Sequence, residues 1–410
     1  MVKVGFLEDE SAILAAVAAK ISQTPFEQGS IKELYEECRD NEEEAKKLVN
    51  RIMKGSGHLI FGDFLPYAVT LEDLSRFAAI YVWRNVNIYN LIMGAGIEAS
   101  LRVVKPNRYN EVVSDLGKTA FEAYEWLIEQ GIPNQDARYV LLEGTLTRMI
   151  FSAPPRYLMK LANDLKNTPL PELQEIGEKI ATLVTERFGL ETPEETLPSQ
   201  WQFWGDEKIK EGISLDYQET LHSASLNMGI RGSLAMYAQL VRQRLLLCAI
   251  EPLEGIARTG SFVVPPTFPK NAVEYYGEIA SQAKKKQIEL IEKKDPNFVY
   301  FLLLGQEAKA MIYGKGSGVI ETSRARSEGV AQWEIRNTVG IPITRELAKY
   351  PELRKEIGPR CRREGICIEP ATFKTKKSVC PAFAKAGGKW QGSLEELLQT
   401  LSESYETLRV

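Results

Sequence analysis

Histidine is almost absent from this chain: its 410 residues include two, His58 and His222. A Ser-His-Asp triad needs a histidine beside its nucleophile and a multi-histidine metal centre needs several, so most hydrolase chemistry and His-built metal sites are excluded. Cysteine is scarce and odd in number, five in all, with Cys38 and Cys248 far from the other three in sequence. That count argues against the disulfide framework of a secreted domain. No stretch reaches the ~18 uninterrupted apolar residues of a membrane span, and Met-Val-Lys-Val-Gly-Phe-Leu-Glu-Asp-Glu at the start lacks the basic and apolar regions of a signal peptide. A cytoplasmic location away from membranes is expected. Neither charge dominates, because 51 Lys and Arg against 55 Asp and Glu leave a net −4. A dedicated nucleic-acid binder is therefore not expected, since phosphate affinity rests on clustered cations.

What is present is ordinary globular composition, 44% hydrophobic and 26% charged, over a length that predicts two or three domains. The two histidines open similar passages 164 positions apart. His58 leads to the amphipathic stretch Ser75 to Asn85, and His222 to Ser233 to Arg244; both read as helices ending in polar or basic residues. Tyr139-Val-Leu-Leu-Glu-Gly144 and Met149-Ile-Phe151 are echoed by Tyr300-Phe-Leu-Leu-Leu-Gly305 and Met311-Ile-Tyr313, at offsets of 161 and 162. Similarly ordered offsets favour duplication over chance. Apolar spacing predicts a helix over 112–131, stopped by Gly131 and Pro133, with a counterpart over 272–293. The runs 139–142 and 298–304 read as a buried strand or the start of a buried helix.

Two glycine-rich stretches invite a phosphate-binding reading. Gly94-Ala-Gly96-Ile-Glu-Ala99 imitates a dinucleotide fingerprint without a clear strand before it. Tyr313-Gly-Lys-Gly-Ser-Gly318 permits a nest of backbone N–H groups beside a lysine, or equally a solvated loop. Cys361, Cys367 and Cys380 offer three thiolates for zinc within a basic segment, but no fourth ligand is near in sequence.

The motifs resemble those of the flavin-dependent thymidylate synthase family. The second half holds Gln239-x-x-Arg242-Gln243-Arg244, and Arg326 five residues before Ala331-Gln332-Trp333-Glu334-Ile335. The first half holds Gly57-His58, Ser100-x-Arg102, Ala137-Arg138-x-x-Leu141-Leu142 and Thr147-Arg148. Departures are equally visible: Trp83-Arg84-Asn85 stands where the family has Arg-His-Arg, Gln243 replaces the central His, and 165–176 lacks any Arg-x5-Ala-Gln match.

The resemblance implies an α/β (α+β) fold of two tandem domains, each a small, mostly antiparallel sheet packed with long helices. They would span 1–190 and 216–358, with a linker at 191–215 and a cysteine-containing tail at 359–410. It implies FAD and a pyrimidine nucleotide as ligands, folate as methylene donor, and a homodimer whose four domains imitate a tetramer. The cofactor would contact His58, His222, Gln239, Arg242, Gln243, Arg244 and Gln332. Ser100, Arg102, Arg148 and Arg326 would hold the substrate, the three arginines also serving the reaction, because guanidinium forks recognise phosphate and stay charged. The expected activity is reductive methylation of dUMP at a composite site. The alternatives are a catalytically inactive nucleotide-binding homologue or a methyltransferase with an altered pyrimidine substrate. For Glu334 the bland reading is helix-surface pairing with Asn337.

Overall fold

A computed structural model describes residues 2–7, 31–55, 67–88, 96–98, 108–188, 209–218, 223–241, 246–365 and 390–403, with the single residues 13, 16, 17, 20, 106, 243 and 382. In chain order come β1 (Lys3–Leu7), α1 (Ile31–Asp40), α2 (Glu42–Gly55), β2 (Tyr67–Ser75), α3 (Arg76–Ile88), β3 (Gly96–Glu98), α4 (Ser114–Glu129), β4 (Leu146–Ala153), α5 (Pro155–Lys166) and α6 (Pro171–Phe188). There follow β5 (Gly212–Asp216), β6 (Ser225–Ser233), α7 (Leu234–Leu240), β7 (Leu246–Ile250), α8 (Leu253–Thr259), α9 (Lys270–Glu292), β8 (Glu307–Lys315), α10 (Ser317–Arg326), α11 (Ile341–Leu347) and α12 (Leu394–Ser402). The chain is thus a mixed protein of helices and two small antiparallel sheets.

Two compact units divide it. Unit 1 comprises Met1–Ala99 and Leu146–Phe203, and unit 2 comprises Ser100–Thr145 and Trp204–Val410. The serial reading places 100–145 with the first half, whereas in the structure this segment packs into unit 2. Unit 1 holds a sheet ordered β1-β2-β4-β3, and unit 2 a sheet ordered β5-β6-β8-β7. The order is the same, and so is the ladder: Ser75 faces Leu146 at one end of β2–β4, and Ser233 faces Glu307 at the same end of β6–β8. Unit 1 differs by one extra residue, Asp73, which sits at a bulge with φ 60°. Along β8 the side chains alternate between buried and solvent-side positions, the period-2 signature of a sheet with one face on a core.

The helices over 112–131 and 272–293 are found as α4 and α9. Leu127, Ala123 and Ala120 of α4 and Ile279, Ala283 and Ala280 of α9 are buried, as the spacing requires. Each ends in a paired hydrogen-bond closure: Ile132 N–H to Leu127 C=O and Gly131 N–H to Ile128 C=O, then Asp295 N–H to Leu290 C=O and Lys294 N–H to Ile291 C=O. That motif needs a left-handed residue, which is Gly131 at φ 78° in one helix and Lys294 at φ 56° in the other.

The apolar runs after these helices are neither strands nor helix starts. Arg138–Val140 and Pro296–Phe301 form 3₁₀ turns, after which the two runs pair with each other inside unit 2. Glu143 N–H donates to Leu302 C=O and Leu304 N–H to Leu141 C=O; Gly144 N–H donates to Tyr300 C=O and Gly305 N–H to Tyr139 C=O. Each bond maps onto its partner by adding 161, so a local pseudo-two-fold passes through the Leu142–Leu303 bridge. It extends outward to Tyr109 opposite Thr145 and Phe262 opposite Gln306. Leu141, Leu142, Val299, Leu302, Leu303 and Leu304 are all buried here; burying each such side chain is worth about 1.5–3 kcal/mol.

Candidate functional site: a buried carboxylate clamp beside the Gln-rich helix

At the end of β6 the chain turns directly into α7, and Ser233 caps that helix by accepting from Met236 N–H at 3.0 Å. The same serine is gripped by a carboxylate: Ser233 N–H donates to Glu334 Oε1 at 2.7 Å and Ser233 Oγ–H to Oε2 at 2.5 Å. Tyr139 OH donates to Glu334 Oε2 as well. Gln332 Nε2 donates to Tyr139 OH at 2.5 Å, and Gln239 Nε2 donates to Gln332 Oε1 at 2.9 Å. A relay of side chains thus runs from the pseudo-two-fold strand pair through Gln332 to the half-buried face of α7. Burial pushes the Glu334 carboxyl above its ordinary value, against the lowering effect of its bonds to Ser233 and Tyr139 and of the nearby Arg138 charge. Burial, with the Glu334 charge second, drives the Tyr139 phenol well above its usual range.

A second buried carboxylate lies next to the first. Asp136 accepts from Thr267 Oγ1 at 2.8 Å and from Trp333 Nε1 at 3.0 Å. Desolvation raises it to about 6, although both hydrogen bonds and Arg138 pull the other way. Arg336, 1% exposed, donates through Nη1 to the carbonyls of Gly329 at 2.9 Å and Ala331 at 3.1 Å, which pins the turn before Gln332.

Ala331 to Arg336 is therefore an internal knot. Gln332 and Glu334 are 0% and 3% exposed, so surface pairing of Glu334 with Asn337 is ruled out by burial. Gln332 has both ends of its amide engaged by Tyr139 and Gln239, so its place is behind the helix face and not against a ligand. Gln239 and Gln243, one turn apart, remain half-buried. With its amide oriented so that oxygen meets the guanidinium, Gln243 accepts from Arg326 Nε at 3.1 Å and from Nη2. Two rungs, Gln239–Gln332 and Gln243–Arg326, thereby tie α7 and its following turn to the end of α10 and the segment after it.

The remaining expected residues divide simply. Arg148 is exposed on β4, opposite Glu72 in register. His58, His222, Ser100, Arg102, Arg242, Arg244, Cys367 and Cys380 lie outside the described residues. Cys361 is partly exposed and outside any disulfide, and no group of three His, Cys, Asp or Glu in metal-binding proximity exists among the described residues. Gly316 opens α10 with φ 55°, at the turn from β8 into that helix.

Unit 1 repeats the clamp. Ser75 N–H donates to Glu172 Oε1 at 2.6 Å, Ser75 Oγ–H to Oε2 at 2.7 Å, and Ala78 N–H to Ser75 Oγ at 3.0 Å. Glu172 is thus the counterpart of Glu334, 162 positions earlier, although 165–176 lacks the Arg-x5-Ala-Gln match. The serine offset of 158 also resets the helix alignment by one residue, placing Arg84 with Arg242 and Asn85 with Gln243.

The family model described as thymidylate synthase complementing protein matches residues 7–188. Over these residues, less than half of its length, the chain is similar to that family. No curated protein matches the chain. Among solved structures, a UMP/dUMP methylase PolB from Streptomyces cacaoi with 5-Br dUMP is 15% identical, covering 47% of this chain and 96% of its own, with a TM-score of 0.34. Thymidylate Synthase X from Helicobacter pylori with FAD and dUMP is 21% identical, covering 44% of this chain and 92% of its own, with a TM-score of 0.33.

Proposed function

We propose that this chain binds a flavin and a pyrimidine nucleotide and methylates the base reductively, with dUMP as substrate and methylenetetrahydrofolate as one-carbon donor. The observation that carries this reading is the family match over residues 7–188. When bound, the flavin would supply hydride to the one-carbon unit; the protein's task is to bind and orient. The described residues fit that task in part. Gln239 commits its Nε2 inward to Gln332 and Ala235, so its amide oxygen remains for a ligand on the half-buried face. Arg326 brings a positive charge to this place, its Nε and Nη2 donating to Gln243. Gln332 does not fit as a direct contact and acts by holding Gln239. His58, His222, Arg242 and Arg244 would complete the cofactor set, with Ser100, Arg102 and Arg148 beside the nucleotide. Two tandem domains, paired in a homodimer, complete the proposed assembly.

The second reading, a nucleotide-binding homologue without turnover, is favoured by the internal use of Gln332 and Glu334. The visible absorption spectrum separates the two, taken before and after adding excess FAD and desalting, together with tritium release from dUMP labelled at C5. Flavin bands perturbed by dUMP, with tritium release that requires the folate, are expected. Flavin bands without release would favour the second reading, and a colourless protein that binds no dUMP would refute both.

A further inference from the structure

The two sheets end in equivalent strands of opposite chemistry. Ser75 faces Leu146 in unit 1 and Ser233 faces Glu307 in unit 2, so the ladders relate β4 to β8 by 161 positions and Phe151 matches Ile312. Gly96 lies beside Phe151 and Cys248 beside Ile312, which makes β3 and β7 the same strand of the two sheets, each last in its order. β3 reads Gly96-Ile-Glu98 where β7 reads Cys248-Ala-Ile250, preceded in β7 by Leu246 and Leu247. A glycine and an acidic residue are devices that keep an edge from recruiting another strand. β7 has none of them: over its five residues there is no charge, no glycine and no proline. The row beside it has changed in the same direction, because Tyr313 stands where unit 1 has Ser152, 40% exposed and next to Leu247, which is 49% exposed. Ala249 and Met311, the next pair on that face, are half-buried. Glu251, the first charge after β7, does not guard the edge, since its Oε1 accepts from Lys309 N–H of β8 at 2.7 Å. An antiparallel edge turns backbone N–H and C=O groups outward at every second residue, and no other strand of the described residues takes those of β7.

We propose that β7 is the edge on which two copies of this chain meet, pairing antiparallel about Cys248 and joining two four-stranded sheets into one. This rests on the homodimer reading above and gives it a surface. The strand suits itself as a partner. A two-fold axis normal to the sheet keeps each face on its own side, so Leu246 comes opposite the partner's Ile250 on the core side. Leu247 comes opposite the partner's Ala249 on the outer side, large against small in both copies. The new ladder satisfies the edge, and Leu247 leaves water beside Tyr313. Sedimentation velocity on the full chain tests this with two variants of the outer face. The wild-type protein should sediment as twice its 46.1 kDa. Leu247→Lys with Ala249→Lys sets lysine opposite lysine and should weaken the dimer at least roughly tenfold, whereas Leu247→Lys with Ala249→Glu sets unlike charges opposite and should restore it. A dimer unaffected by the two lysines would overturn the proposal and leave the homodimer standing on another surface. Monomers from both variants would overturn it too, because the register requires the rescue. Hydrogen exchange needs no variant: diluting the wild-type dimer to monomer should speed exchange across 246–250, and unchanged protection there would overturn the proposal. A folded wild-type chain that stays monomeric would remove the homodimer reading together with the proposal and assign the edge to a strand of another protein.

Discussion

Asp136 and the two clamp serines give the sharpest single-residue expectations. The folded Asp136 carboxyl holds its proton to about pH 6, against an ordinary value of 3.8, so between these limits the folded state binds more protons than the unfolded state. Stability is consequently lost as pH rises from about 4 to 6 and is level above, by an amount on the order of 2–3 kcal/mol. Asp136→Asn, whose amide can still accept from Trp333 and donate to Thr267, should flatten that part of the thermal-stability profile; an unchanged slope would show that Asp136 ionises freely in the folded protein. At the clamps, Ser233→Ala removes the helix cap and strips one of three donors from a carboxylate that is 3% exposed, leaving the backbone N–H and Tyr139. A loss of about 2–3 kcal/mol is expected, and about 1 kcal/mol for Ser75→Ala, because Glu172 is half-buried and water can replace the hydroxyl. Equal losses in denaturant titrations would mean that burial of the carboxylate does not set the difference.

Helix closures and strand ladders show how local chemistry and tertiary packing share the work. Gly131 answers the left-handed requirement at the end of α4 at little cost, whereas Lys294 meets the same requirement with a side chain. Lys294→Gly should therefore raise stability by roughly 0.5–1 kcal/mol, and Gly131→Ala lower it by about as much. A fall in melting temperature for Lys294→Gly would contradict the strain argument. These helices were legible in the sequence because apolar spacing and a stop signal coincide over many residues. The strands β2 and β6 were not, since a run such as Ser225-Leu-Asn-Met-Gly-Ile-Arg-Gly-Ser is short, glycine-interrupted and settled by its neighbours in the sheet. The runs at 139–142 and 298–304 were visible as buried but not as partners, because their hydrogen bonds lie 161 residues apart. Glu172 carried a usable signal, the same 162 offset as Met149 and Met311, but it is followed by none of the flanking identities that made Glu334 conspicuous. Of the residues expected at the site, Gln239 meets Gln332 and Gln243 meets Arg326. The inward commitment of Gln332 was hidden because a glutamine at a ligand and a glutamine in a relay are the same letter.

The chain as a whole is interleaved: it leaves unit 1 after Ala99, runs through unit 2 to Thr145, and returns. Residues 139–144 are thereby fastened to 300–305 by four backbone hydrogen bonds within unit 2. A protease site inserted after Gln200 should, once cut, yield two fragments that travel together through native size-exclusion chromatography and part only in denaturant. Prompt separation in native buffer would count against this packing. The reciprocal pairing about Leu142 and Leu303 is the geometry by which two identical chains would clasp one another. If the clasped segments lay on separate polypeptides, holding them together would depend on how much protein a cell contains. Carried on one polypeptide, the clasp is indifferent to dilution.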